Sequence, residues 1–174
     1  MYTFTYERPA SAADAGKLAA SGAKVLAGGQ TLLASMKLRL ASPPVLADLG
    51  GIAELSGICR DGNALVIGAM TRHAVVAASA EVQQTIPALA ELAGHIGDRQ
   101  VRAMGTLGGS VANNDPSACY PSAVLALGAT VVTTQRSISA DDFFQGMFTT
   151  ALQEDEIITS IRFPIPKRAA YMKF

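Results

Sequence analysis

Apolar and polar residues along the first fifty positions follow helical and extended spacings in turn. Residues 11–21 are a run of small apolar side chains at helical spacing, which Ser11 is suited to cap. The short apolar runs at 24–27 and 45–49 are each followed by a glycine pair, as expected for buried strands that end in turns. Leucine and methionine recur at helical spacing over 30–40. This order of helix, strand, helix and strand predicts parallel strands in an α/β unit.

The remainder of the chain has more varied elements. Apolar runs and one strictly alternating segment predict strands at 64–67, 130–134 and 157–163, and helical spacing predicts helices at 71–79, 86–94 and 117–128. We place a boundary near residue 55, because the order of the predicted helices and strands changes there. The chain is therefore predicted to form two subdomains, residues 1–55 and residues 56–174, without a low-complexity linker between them.

Composition excludes two classes of protein. The 174 residues are 49% hydrophobic and 16% charged, with a mean hydropathy of +0.28, so the chain is not of the disordered class. Its 14 basic and 14 acidic side chains cancel, which leaves no basic field for a nucleic-acid backbone. The low charge density indicates that a partner or a cofactor covers much of the surface.

The two cysteines, Cys59 and Cys119, stand far apart and form no CxxC pair. Two thiols make a poor disulfide framework for a chain of this size, so a reducing compartment is expected. The N-terminal residues alternate and are charged, without the apolar core of a signal peptide. The longest apolar stretch, 123–129, is far shorter than the ~20 residues of a membrane span. We therefore expect a cytoplasmic protein with no membrane span.

Residues 25–33 run from a predicted strand through Gly28 and Gly29 into a predicted helix. Two glycines let the backbone turn tightly and bring bare N–H groups close to a ligand. The first amides of the helix have no internal acceptors, so the segment offers an anion site with the Thr31 hydroxyl as a further donor. An ordinary strand-to-helix turn is the alternative. Neither the GxGxxG nor the P-loop pattern is present, so a phosphate would bind in another framework.

Residues 105–116 hold three glycines, two hydroxyls, two amides and a carboxylate among few apolar side chains. We interpret this segment as a polar loop that offers many backbone donors and the side chains of Thr106, Ser110, Asn113, Asn114 and Asp115. Such a mixture suits phosphate, ribityl hydroxyls and heterocyclic amides. The alternative is a surface loop in which Asp115 or Ser117 caps the next helix.

Other chemical signals are weak. The segment from Gly108 to Ala112 approaches the GxSxG nucleophile elbow but ends in alanine, and only His73 and His95 could act as its base. His73 stands at a predicted helix start, where we expect it to be solvated. No spacing of histidine, cysteine or acidic residues fits a known metal site. The acidic run at 154–156 is interpreted as a solvated turn.

Taken in order, these segments resemble the FAD-binding domain of the molybdenum hydroxylases, the family of the carbon monoxide dehydrogenase medium subunit and the xanthine dehydrogenase FAD domain. The resemblance rests on AGGQTLL at 27–33 and TLGGSVANNDP at 106–116. Supporting matches are found at 123–129, 142–144 and 156–161. The likeness covers essentially the whole chain, and its ordered set of motifs is more specific than any single motif.

The resemblance implies an α+β fold, the vanillyl-alcohol-oxidase (PCMH-type) FAD-binding fold, in which two α/β subdomains hold an extended FAD between them. The first loop would wrap the pyrophosphate, and the second would contact pyrophosphate and ribityl. Many relatives carry an acid at the position of Cys119, so we carry over no carboxylate contact there; a buried inert thiol is the simpler expectation. No catalytic residue or metal ligand is implied. The implied cofactor-binding residues are Val25, Leu26, Ala27, Gly28, Gly29, Gln30, Thr31, Leu32, Thr106, Leu107, Gly108, Gly109, Ser110, Asn113, Asp115, Cys119, Ile158 and Lys173.

The resemblance also implies an electron-transfer subunit of an oxidoreductase complex. Substrate would be oxidised at a molybdopterin centre in a large subunit. Electrons would cross two [2Fe-2S] clusters in a small subunit, reach FAD in this chain and leave to an external acceptor. The complex is expected to be a dimer of heterotrimers. Its substrate is expected to be carbon monoxide, an aldehyde or an N-heterocycle.

Family subunits carry a further C-terminal domain after a stretch like residues 171–174, where this chain stops. We therefore expect either that this chain is a fragment of a longer protein or that another chain completes the site. Two other functions stay open at this point. One is a non-catalytic assembly module without a functional cofactor, and the other is a free-standing flavin reductase of the same fold.

Overall fold

Helices and short strands alternate throughout the computed structural model, which describes residues 1–173. The helices are α1 (Ala12–Ala20), α2 (Leu32–Lys37), α3 (His73–Ala78), α4 (Ala80–Thr85), α5 (Pro87–Gly94), α6 (Arg99–Met104), α7 (Leu107–Asn113), α8 (Cys119–Ala126) and α9 (Ala140–Phe143). The strands are β1 (Thr5–Glu7), β2 (Lys24–Leu26), β3 (Val45–Asp48), β4 (Ile58–Asp61), β5 (Ala64–Gly68), β6 (Thr130–Thr133), β7 (Ser137–Ser139), β8 (Phe144–Gly146), β9 (Thr149–Thr150) and β10 (Ile158–Pro164).

The first three strands form a parallel sheet in the order β1-β3-β2. The predicted parallel pairing of the two early strands is confirmed, with Leu26 beside Asp48 at the end of the ladder. Helix α1 begins as predicted, because the Ser11 side chain accepts a hydrogen bond of 3.1 Å from the Asp14 amide. Strand β1 was not predicted, and all three of its residues are exposed.

A second sheet of five antiparallel strands has the order β4-β5-β10-β6-β7. Its central strand, β10, pairs with β5 on one side and β6 on the other. The alternation that predicted β10 has a clear cause, because Ile161 and Phe163 are fully buried while Arg162 between them is half-exposed. Together the two sheets and their helices confirm the α+β fold.

The largest core lies between this sheet and helices α3, α5, α7 and α8. Leu65 and Ile67 of β5 are fully buried against it. A smaller core joins Ala15 of α1 to Leu55 and to Ile157, just before β10. The parallel sheet lies before residue 55 and the five-stranded sheet after it, while the division into subdomains at that residue stays a prediction.

Residues 107–113, interpreted from the sequence as part of a loop, form helix α7 instead. Leu107 and Val111 are one helical turn apart and both fully buried. Thr106 caps the helix, since its side chain accepts from the Gly109 amide at 3.2 Å. Burial and the cap therefore outweigh the low helix propensity of the two glycines. Among residues 1–173, no helix has both the length and the apolar character that crossing a membrane requires.

Candidate cofactor-binding cleft

The two glycine pairs border one cleft of about 920 Å³. That volume is at the upper end of the range for small-molecule sites, about 300–1,000 Å³. All of the residues implied by the resemblance line this cleft except Leu107, Cys119 and Lys173. The sequence segments 25–32 and 106–115, far apart in the chain, thus meet at one place in the fold.

The first glycine pair continues from the end of strand β2 into helix α2. Gly29 has a φ of +73°, a left-handed conformation that glycine adopts without steric cost. Within residues 1–173, the five consecutive amides from Gly28 to Leu32 donate to no protein acceptor. The Thr31 side chain makes no capping bond either. This loop therefore presents a run of bare donors beside the cleft, as expected of an anion site.

The second glycine pair is different, because its amides are already bonded. The Leu107 amide donates to Thr71 O at 3.0 Å, and the Gly108 amide donates to Ala69 O at 2.8 Å. The Gly109 amide is held by the Thr106 hydroxyl. The expectation of many free backbone donors in this segment is therefore wrong.

Helix α7 instead gives the cleft a firm wall with polar side chains. Ser110 and Asn113 are half-buried on its cleft side, and within the described part of the chain their side chains take no hydrogen-bond partner. Asp115 lies just beyond the helix, where its Oδ1 accepts from the Ser117 amide at 2.8 Å and from the Ser117 hydroxyl at 2.7 Å. The second segment can bind a ligand through these side chains and through close approach at Gly109.

The two segments touch through backbone atoms. A Cβ built on Gly28 would lie 2.7 Å from the Gly105 Cα and would collide with the Met104 carbonyl oxygen. A Cβ on Gly109 would lie 3.2 Å from the Ala27 Cβ. Glycine is required at Gly28 because only a bare backbone lets the first loop reach the second wall.

Glu156 also lines the cleft, and it is buried, so the expectation of a solvated turn at the acidic run is wrong. Its side chain is fully buried, and its carboxylate accepts from Arg136 Nε at 2.9 Å and Nη2 at 3.0 Å. It also accepts from the Thr133 hydroxyl at 2.7 Å and the Gln153 amide at 3.0 Å. These hydrogen bonds, that of Arg136 foremost, lower the pKa of Glu156 to about 2. The carboxylate fixes the backbone that leads into Ile157 and Ile158, both of which line the cleft.

His73 also lines the cleft. Its side chain is buried, so the expectation that it is solvated is wrong. Burial lowers the pKa of His73 to about 4, so the ring is neutral at physiological pH. Its Nε2 lies 2.6 Å from the position of a Cβ on Gly105, and its amide donates to Gly105 O at 3.0 Å. The ring stands 5.2 Å from that of Tyr120. His73 thus packs against Gly105, the residue whose Cα also limits the space at Gly28.

Cys119, Tyr171 and Lys173 form a separate group beside Ala118, which does line the cleft. The Tyr171 hydroxyl donates to Cys119 Sγ at 3.2 Å, and Lys173 Nζ lies 3.7 Å from the same sulfur. Phe174, the last residue of the matching stretch at 171–174, lies outside the described residues. Leu107 is fully buried in the core and holds α7 in place instead of facing the cleft.

A match over residues 2–166 to the family "FAD binding domain in molybdopterin dehydrogenase" agrees with this arrangement. The chain belongs to that family. It is 42% identical to the carbon monoxide dehydrogenase medium chain of Hydrogenophaga pseudoflava over 169 residues. The aligned part covers 92% of this chain and 58% of the relative. The nicotine 6-hydroxylase medium subunit of Paenarthrobacter nicotinovorans is 40% identical, over 91% of this chain and 58% of its own length.

Solved structures give the same result for the FAD-binding fold. Reconstituted carbon monoxide dehydrogenase from Oligotropha carboxidovorans superposes with a TM-score of 0.92 at 40% identity, covering 95% of this chain and 60% of that chain. This FAD-binding domain therefore spans somewhat less than two thirds of the length of the relatives it matches. The unpartnered amides and the glycine contacts described above fit the diphosphate of such a cofactor.

Proposed function

We propose that this domain holds FAD in the cleft as the electron-transfer part of the medium subunit of a molybdenum hydroxylase complex. One observation carries the proposal: the five unpartnered amides of Gly28 to Leu32 border the cleft at the point where the two glycine segments meet. A diphosphate carries its charge on oxygens that need many donors in a small space, and a glycine turn supplies them from the backbone.

Each wall then has a separate task. Gly28, Gly29, Gln30, Thr31 and Leu32 would bind the pyrophosphate through their amides, with Val25, Leu26 and Ala27 setting the entry of the loop. The opposite wall would be Thr106, Gly108 and Gly109 at close range, with hydroxyl and amide contacts from Ser110, Asn113 and Asp115. Ile158 would exclude water from the flavin side. Cys119 and Lys173 would lie near a more distant part of the cofactor, and Leu107 would act only through the position of α7.

When bound, FAD accepts and passes on electrons, while the protein supplies position, donors and exclusion of solvent. This role does not require an acid–base pair among the residues of the cleft. We propose that electrons arrive from the [2Fe-2S] clusters of a small subunit, that the molybdopterin lies in a large subunit, and that the complex is a dimer of heterotrimers. We also propose a cytoplasmic complex, and the small number and wide spacing of the cysteines, Cys59 and Cys119, support this.

The substrate would contact the molybdenum subunit and not this chain. In support, relatives named for carbon monoxide and for nicotine match at 42% and 40% identity, so likeness in this domain does not follow the substrate. Carbon monoxide, an aldehyde and an N-heterocycle are thus all compatible with the same FAD-binding cleft.

The test is a titration of the purified full chain of 174 residues with FAD, followed by flavin fluorescence and absorption. We expect saturable binding with one FAD for each chain and a perturbed flavin spectrum. Gly28→Ala, which obstructs the meeting point of the two segments, should bind much less, and Gly94→Ala in helix α5 should bind like wild type. A folded wild-type chain that takes up no FAD would contradict the proposal and favour the assembly-module alternative.

A further inference from the structure

Strands β8 and β9 form a hairpin whose tip, Met147 and Phe148, is exposed to solvent. Phe148 is 60% exposed, and it lines the cofactor cleft. Its φ of +54° puts a bulky aromatic residue in the left-handed region. Such a conformation costs of the order of 1–2 kcal/mol for residues other than glycine. The hairpin therefore holds an aromatic ring at the cleft at a cost that glycine would avoid.

Asn114 fixes this hairpin to helix α7. Its Nδ2 donates to Gly146 O at 2.7 Å and to Thr149 O at 2.9 Å, on either side of the tip. The Phe148 amide donates to Asn114 O at 3.0 Å. Asn114 is only 8% exposed, so these three bonds form a partly buried clamp between the helix and the exposed hairpin. The tip is thereby tied to the helix that carries Ser110 and Asn113 along the cleft wall.

The neighbouring residue shows that exposure alone does not explain Phe148. Met147 is 73% exposed but does not line the cleft. Phe148 combines an exposed ring, a strained backbone and a place on the cleft wall, and strain of this kind is typical of functional positions. An aromatic ring in such a place can bury its face against a planar ligand group, since stacking gains both apolar contact and dispersion.

We propose that the ring of Phe148 stacks on one of the two planar heterocycles of the bound dinucleotide. This inference rests on the proposed function, because the cleft must hold FAD for either heterocycle to be there. The adenine and the isoalloxazine share the chemistry that a phenyl ring recognises, a flat π-system with an apolar face. Phe148 is thus a binding residue, and Asn114 is the positioning residue that orients it.

The experiment measures dissociation constants of FAD, ADP and FMN for the full chain and three variants. Phe148→Gly removes the ring and relieves the left-handed backbone, so the hairpin is kept. Phe148→Tyr restores an aromatic face, and Met147→Ala is the matched control at the same tip. We expect Phe148→Gly to weaken FAD binding by about 5- to 100-fold, as for the loss of one stacked base. Phe148→Tyr and Met147→Ala should stay within about 2-fold of wild type by the same reasoning, since neither removes the stacked face.

The half-ligands identify the ring that is stacked. A loss for ADP alone assigns Phe148 to the adenine, and a loss for FMN alone assigns it to the isoalloxazine. If wild type binds FAD and Phe148→Gly binds it equally tightly, the stacking is overturned and the proposed function stays intact. An equal loss in Met147→Ala, or a loss of FAD with neither half affected, would also overturn it. A wild-type chain that binds none of the three ligands would overturn both proposals.

Discussion

The Cα of Gly105 occupies the space that a side chain on Gly28 would need, with only 2.7 Å between it and a Cβ built there. The neighbouring obstacle is the Met104 carbonyl, which is also backbone. Neither atom can move as a flexible side chain can. Two distant backbone segments thus approach each other closely beside the cleft, and a side chain at position 28 would force them apart.

Gly28→Ala should therefore push the first loop away from α6 and α7. We expect a loss of FAD affinity of at least about 10-fold, together with destabilisation of about 1–3 kcal/mol from overpacking. Isothermal titration with FAD and denaturant unfolding measure the two effects.

Gly94→Ala is the matched control for that substitution. A Cβ on Gly94 would meet only the Ala77 Cβ, at 4.0 Å, and Gly94 lies within helix α5. The same chemical change there should leave FAD affinity unaltered and stabilise the helix slightly. Equal FAD affinity in both variants would show that the meeting point of the glycine segments does not control the cleft.

His73 makes the stability of the chain depend on pH in the mildly acidic range. Its pKa is about 4 in the fold, lowered by burial from the usual value of 6.5. Between these two values the unfolded chain binds a proton that the folded chain does not, so stability rises with pH. The free energy of unfolding should therefore fall by up to about 3 kcal/mol as the pH decreases from 6.5 to 4.

His73→Phe isolates this effect, because it keeps a ring against Tyr120 and has no proton to bind. Denaturant unfolding at a series of pH values should show that the variant lacks most of the slope between pH 6.5 and 4. A variant with the wild-type slope would assign the titration to another group.

Local patterns predicted the regular elements of the fold well. Ser11 and Gly22 marked the two ends of α1, and Gly22 has the left-handed φ of +92° that a residue after a helix often takes. The alternation at 157–163 predicted the central strand β10 for a physical reason, since one of its faces is buried in the core. Local patterns marked each glycine segment only as a separate candidate site; the resemblance implied that both border one site, and both line the same cleft.

The failures share a different cause, namely partners far away in sequence. Glu156 reads as part of an acidic turn, and only its bonds to Arg136 and Thr133, 20 and 23 residues away, explain its burial. His73 is buried because Tyr120 and Gly105 pack on it from other elements. The left-handed conformation at Phe148 could not be predicted, because the residue there is not a glycine. Spacing along the chain contains none of this information.

Glu156 should contribute stability that is lost in strong acid. Its pKa is about 2 in the fold against a usual 4.5, so the folded state releases the proton more readily than the unfolded state. This stability is complete above about pH 4.5 and is lost as the pH falls through about 2. Glu156→Gln should lower the free energy of unfolding at pH 7 by about 2–3 kcal/mol and remove this acid dependence.

Glu154→Gln provides the comparison for Glu156, because Glu154 is an exposed residue of the same acidic run. It should change stability by less than about 0.5 kcal/mol at any pH. Urea unfolding between pH 2 and 7 measures both variants. Similar stability of the two variants at pH 7 would mean that the ion pair with Arg136 contributes nothing.

Asn114→Asp tests the clamp on the Phe148 hairpin with almost no change in shape. The amide donates to two carbonyl oxygens, Gly146 O at 2.7 Å and Thr149 O at 2.9 Å, and a carboxylate has no proton to donate. At pH 7 the substitution would place a buried negative charge against two acceptors. We expect the free energy of unfolding to fall by about 3 kcal/mol and FAD affinity to fall with it, since Phe148 loses its fixed position.

Acid should partly restore the Asn114→Asp variant, because a protonated carboxyl can donate one of the two lost hydrogen bonds. Asn63→Asp, at an exposed position of a turn, is the matched control and should be close to wild type in stability and FAD affinity. The measurements are unfolding and FAD titration at pH 5 and pH 7. If Asn114→Asp kept wild-type FAD affinity while its stability fell, the clamp would support only the fold and would have no part in binding the cofactor.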